Sequence, residues 1–124
     1  MSPPGIAQQI TFISVSDLDR STRFYEADWG LPLVLDQGSC RIFRVARAGF
    51  LGLCTGTPAP EGVILTIVTE EVEEWYQHLT ARGIETEGPP RKNEHYRIVH
   101  FFARDPDGYR VEVQRFLDPA WPAD

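Results

Sequence analysis

The sequence predicts an α+β protein built from two βαβββ modules, whose mixed sheets curl into a cup with the helices outside. Three observations predict it. The chain matches itself at an offset of 53 residues, Ile10–Asp17 against Val63–Glu70, each an apolar strand ending in a hydroxyl residue and an acid. A helix-period apolar stripe follows each of those strands. Asp105-Pro106-Asp107-Gly108, flanked by two β-type runs, is the turn of a hairpin, because proline presets φ, glycine accepts positive φ and aspartate bonds back to the backbone.

Ser16-Asp17 is a helix start signal, and the helix it opens runs from about Leu18 to Asp28, with Leu18, Thr22, Tyr25 and Trp29 on one face, Phe24 beside it and Gly30 at its end. Three strands follow, Pro32–Asp36, Cys40–Ala46 and Phe50–Cys54. Gly56–Gly62, rich in proline and glycine, links the modules. In the second module Val72, Trp75, Tyr76 and Leu79 form the stripe, acids crowd its first turns, and Arg82-Gly83 closes it. Strands Ile84–Glu87, Tyr96–Ala103 and Tyr109–Arg115 complete the copy, with an irregular segment at Gly88–Glu94. The whole chain, residues 1–124, reads as one domain, with module one at about 6–56 and module two at about 62–116.

Composition excludes several classes. A net charge of −6 and a pI near 5.0 argue against nucleic acid, which requires a basic face. No apolar run approaches the ~20 residues of a membrane span, and the first residues lack the basic and apolar regions of a signal peptide. Cys40 and Cys54 lie in predicted strands, read as buried inert thiols in a reducing, cytoplasmic setting. Two cysteines without C-x-x-C spacing make no metal cluster.

Glu112 carries the strongest functional signal. It stands between Val111 and Val113, so if the valines face a core, it faces the opposite side of the sheet. In an apolar cleft it is a candidate base, acid or cation anchor; the alternative is a carboxylate paired with Arg41, Arg97 or Arg110. His100 is the histidine whose strand position suits an acid–base pair with Glu112. His78 falls on an exposed helix face, and His95 lies beside Tyr96 in the irregular segment. Trp121 is expected to pack across a module edge or a partner subunit.

Val15-x-Asp17-Leu18-x-x-Ser21-x-x-Phe24-Tyr25, Trp29-Gly30-Leu31, Ala81-Arg82-Gly83-Ile84 and Asp105-Pro106-Asp107-Gly108-x-x-x-Glu112 together resemble the vicinal oxygen chelate superfamily of glyoxalase I, fosfomycin-resistance transferases, extradiol dioxygenases and bleomycin-binding proteins. The resemblance covers about residues 6 to 116 and implies a divalent ion held by four strand positions, which match Ile10, Gly52, Val63 and Glu112. Only Glu112 can bind metal, and a lone carboxylate holds a divalent ion poorly. The expected cofactor is therefore none, with a metal completed by a dimer partner left open. If Ile10 and Val63 face the cup, alternation adds Phe12, Ser14, Leu65 and Ile67, with Phe50, Gly52 and Cys54 on the neighbouring strand and Phe102 near Glu112. The expected ligand-binding set is Ile10, Phe12, Phe50, Gly52, Val63, Leu65, Phe102 and Glu112. An apolar cleft suits a small organic molecule. The leading expectation is metal-independent binding, similar to the bleomycin-sequestering branch, in a homodimer that covers its sheet edges. Two alternatives remain: a lyase or isomerase using Glu112 with His100, and an interaction domain using the cup edges.

Overall fold

The computed structural model describes residues 2–122. The chain divides into two compact units, one reaching Ala59 and the other beginning at Pro60. Each carries one four-stranded mixed sheet and one helical segment.

In the first unit β1 (Gln9–Val15) runs parallel to β4 (Gly49–Thr55), which pairs antiparallel with β3 (Cys40–Ala46), which pairs antiparallel with β2 (Leu33–Asp36). Helix α1 (Leu18–Arg23) starts where Asp17 accepts a hydrogen bond from the Arg20 amide at 3.1 Å. The expected single helix to Asp28 instead passes into a π-helical turn at Phe24–Asp28, where the Trp29 amide reaches the Phe24 carbonyl. That wider turn buries consecutive aromatics, Phe24 and Tyr25, together with Trp29. The core under them is Ile13, Val15, Phe43, Leu51 and Leu53, one face of the sheet by alternation. Arg41 lies on the same face and donates to Asp19 and Thr22, tying the helix to the sheet.

The second unit repeats the order: β5 (Ile64–Val68) runs parallel to β8 (Arg110–Phe116), then come β7 (Ile98–Arg104) and β6 (Arg91–Asn93). Helix α2 (Val72–Ala81) buries Val72 and Leu79, and Tyr76 meets the Phe101 ring edge-on. Val111, Val113, Phe101 and Ala103 are buried on the helix-facing side of the sheet. The Asp105–Gly108 turn joins β7 to β8 as expected. Gly108 has φ +89°, and Asp105 Oδ1 accepts from the amides of Asp107 and Tyr109, both at 2.9 Å.

Four further expectations are corrected. The strand at Ile84–Glu87 reduces to a bridge between Thr86 and Ala103, because Gly88 turns at φ +111° and the two prolines that follow offer no amide to a ladder. Pairing with β7 resumes as β6, inside the segment expected to be irregular. Tyr96 and Arg97 belong to the β6–β7 turn, with Arg97 at φ +55°. Finally, Cys40 and Cys54 are not free thiols: they face each other across β3 and β4 and form a disulfide. Trp121 stacks on Phe116 of its own unit, with ring centroids 3.9 Å apart. Among the described residues no helix is long and apolar enough to cross a membrane.

Candidate functional site

Each sheet has a second face, away from its helix. On β8 that face carries Arg110, Glu112, Gln114 and Phe116, since Val111 and Val113 point to the core. Register-paired residues share a face, so Thr66 of β5 and Phe102 of β7 flank Glu112 directly, and His100 pairs with Gln114 one step further along.

Glu112 is 9% exposed, close to sealed for a carboxylate. Its Oε1 accepts from the Thr66 hydroxyl at 3.0 Å, and its Oε2 lies 2.6 Å from His100 Nδ1. An ionised carboxylate only accepts, so in that state His100 presents Nδ1–H to it. Glu112 and His100 are therefore in contact. The alternative arginine partners are engaged elsewhere: Arg41 with Asp19 and Asp36, Arg97 with Asp118, Arg110 with Glu87. Thr66 was missed at the sequence level. A carboxylate needing a second donor on a neighbouring strand is the signal that would have found it.

Leu65 and Val63 are corrected in placement. Leu65 pairs with Val111 and Ile67 with Val113, on the helix side, while Ile64, Thr66 and Val68 share the side of Glu112. Val63 precedes β5. The internal repeat is one residue out of step with the offset read from the sequence, and a one-residue slip sends every side chain of a strand to the other face.

In the first unit the expected set does share a face. Ile10 pairs with Phe50, Phe12 with Gly52 and Ser14 with Cys54. The Phe12 ring lies where a Cβ on residue 52 would stand, so the glycine is what allows the ring to lie over the sheet. Ile10 and Phe12 are 41% and 53% exposed, large apolar groups facing away from the core. Arg44 lies 4.8 Å from the Phe50 ring centroid on the same face. His78 is exposed and touches Trp75, and His95 touches Tyr96; neither meets Glu112.

The divalent ion that the superfamily implies does not fit these residues. Ile10, Gly52 and Val63 offer no donor atom in their side chains, and among the described residues no three His, Cys, Asp or Glu side chains gather.

A second polar cluster stands further along the same face of β7 and β8. Glu87 Oε2 accepts from Arg104 Nε at 2.9 Å and Arg110 Nε at 3.0 Å, and its Oε1 accepts from Arg110 Nη2 at 3.0 Å. The Arg110 guanidinium lies 3.7 Å from the Phe102 ring centroid. Hydrogen bonding from Arg110 holds the Glu87 carboxyl below its ordinary value of 4.5, against burial, with Arg104 adding to the effect. A carboxyl depressed in the folded state stabilises fully above its unfolded value, and the gain is lost as pH falls through the folded one. Glu87→Gln is therefore expected to lower the urea midpoint at pH 7 and to lower it less at pH 3. An equal shift at both pH values would show that the charge contributes nothing.

The chain is 26% identical over 121 residues to the uncharacterised protein YraH of Bacillus subtilis (strain 168), covering 83% of this chain and 93% of that one. A glyoxalase/bleomycin resistance protein/dioxygenase from Nocardioides superposes with a TM-score of 0.79 at 19% identity, over 100% of this chain and 91% of the other. Lactoylglutathione lyase from Agrobacterium tumefaciens superposes at 0.76 and 22% identity, over 97% and 100%. At these identities the solved structures speak to the fold alone. The family model described as Glyoxalase/Bleomycin resistance protein/Dioxygenase superfamily matches residues 7–113, nearly the whole chain, and the protein belongs to that superfamily.

Proposed function

We propose that this chain binds a small organic molecule without a metal, on the open side of its second sheet, in the manner of bleomycin-resistance-type sequestering proteins. The observation that carries this reading is the Glu112–His100–Thr66 cluster, a buried carboxylate bonded to a half-buried imidazole and an exposed hydroxyl, on a face whose other residues include Ile64, Val68 and Phe102. Sites for organic ligands combine apolar walls with a few polar groups that fix orientation. Glu112 anchors a donor or cation, and His100 Nε2 accepts from a ligand donor. The open side of the first sheet, with Ile10, Phe12 and Phe50, is a further apolar surface that supports the reading. Metal independence rests on the poor fit of the donor set.

A ligand panel including bleomycin, read by thermal shift with and without EDTA, tests this. Binding is expected to survive EDTA and to weaken in Glu112→Gln, whose thermal unfolding in the absence of ligand serves as the control. Turnover of the methylglyoxal–glutathione hemithioacetal, abolished by chelator and restored by metal, would overturn it.

One observation favours a second reading. The 2.6 Å contact between His100 and Glu112 is the geometry of an imidazole oriented by a carboxylate, which an acid–base lyase or isomerase would use. Turnover that resists chelator and is lost in His100→Gln would select it. The proposal also takes the chain as a cytoplasmic homodimer, which native mass spectrometry and fractionation test. Against the cytoplasm stands the Cys40–Cys54 bond, since disulfides are rare in reducing compartments. Alkylation of thiols in protein taken from intact cells decides that point.

A further inference from the structure

A cleft of about 270 Å³ opens at the start of β5 and β8, lined by Pro60, Val63, Ile64, Gly108, Arg104 and Arg110, with Gly62 and Glu61 completing its wall. Neither Glu112 nor His100 lines it, although Ile64 borders both this cleft and the face that carries Glu112. Glycine backbone forms part of the wall: Gly62 and Gly108 have φ of +77° and +89°, and a Cβ on Gly108 would come 4.0 Å from Pro60. The remaining wall is apolar except for the arginines and Glu61.

Two guanidinium groups share the single Glu87 carboxylate, an excess of one positive charge within that cluster, which Glu61 in the same wall balances. Both arginines are already ordered. Arg104 Nη1 donates to the Gly108 carbonyl at 3.3 Å, and Arg110 is held by its bidentate bond to Glu87 and by the Phe102 ring. An arginine fixed before binding loses little side-chain freedom when an anion arrives. Guanidinium groups match carboxylates in geometry and charge. Proline, valine and isoleucine beside them suit an apolar body. Glu61, exposed at the rim, repels any anion and so opposes binding.

We propose that this cleft binds a small organic acid, its carboxylate on Arg104 and Arg110 and its apolar body against Pro60, Val63 and Ile64. The test is a ¹H–¹⁵N titration of the arginine Nε–H signals at pH 7 and low salt with benzoate, its neutral counterpart benzamide, and inorganic phosphate. Benzoate is expected to shift the Arg104 and Arg110 signals saturably, and benzamide to leave them in place. Arg104→Gln is expected to weaken benzoate roughly tenfold. Glu61→Gln, an exposed change that leaves the arginines untouched, is expected to tighten it about threefold. The proposal fails if benzoate causes no saturable shift, if benzamide binds equally, or if Glu61→Gln weakens binding. Phosphate binding as tightly as benzoate would overturn the organic-acid assignment.

Discussion

Replacing Asp105 with alanine is expected to destabilise the protein by about 2–4 kcal/mol, as the loss of one buried and one part-buried hydrogen bond at one site would. Asp105 is 5% exposed, and its Oδ1 receives the amides of Asp107 and Tyr109, the second of these bonds buried. Alanine removes the acceptor and leaves the Tyr109 amide in a place where water does not replace it. The same residue uses its backbone to close the turn, accepting from the Gly108 amide at 3.0 Å and donating to the Tyr109 carbonyl at 2.9 Å. Asparagine keeps an oxygen in place and is expected to recover most of the loss. Chemical denaturation of the three proteins checks this, and an alanine variant within 0.5 kcal/mol of the parent, roughly the scatter of neutral surface changes, would refute it. The turn sets the register of β7 against β8, so it also sets which residues stand beside Glu112.

The second large effect is expected at that pair. Glu112→Ala removes the acceptor that the Thr66 hydroxyl and His100 Nδ1–H share, at 3.0 and 2.6 Å. About 1–3 kcal/mol of stability should go with it, most of it from half-buried His100, since Thr66 is exposed and water replaces its partner. His100→Ala should cost less, because Glu112 keeps Thr66. A double-mutant cycle isolates the pair, with a coupling of about 1–3 kcal/mol expected for groups in direct contact. The two side chains are each 12% exposed, so solvent screening removes little of the interaction. A coupling below about 0.5 kcal/mol, the additivity error of independent sites, would mean that the contact is not energetically formed. The candidate site would then lose its central observation.

Local chemistry made much of the fold legible. The Asp105–Gly108 turn, the Asp17 cap and the Val72–Leu79 stripe each follow from residues close in sequence, and each is found where those residues predict. The facing of Glu112 was legible too, because alternation between Val111 and Val113 requires no knowledge of the partner strand. The Glu112–His100 juxtaposition needed only the hairpin that joins their strands.

What local chemistry left open depends on pairing between segments distant in sequence. The slip that moves Leu65 to the helix side and brings Thr66 to Glu112 is a matter of β5 against β8, and no residue within β5 specifies it, since Ile64, Leu65, Ile67 and Val68 are apolar on both faces. The Cys40–Cys54 bond arises because β3 and β4 place those residues opposite each other, a consequence of where their hairpin bends. The Glu87–Arg104–Arg110 cluster forms only when Glu87, on an edge segment broken by Gly88 and two prolines, reaches both guanidinium groups. By itself the sequence determined the class, the two modules and the carboxylate that faces away from the core. Register between strands far apart along the chain, which no short-range preference encodes, decided which side chains meet it.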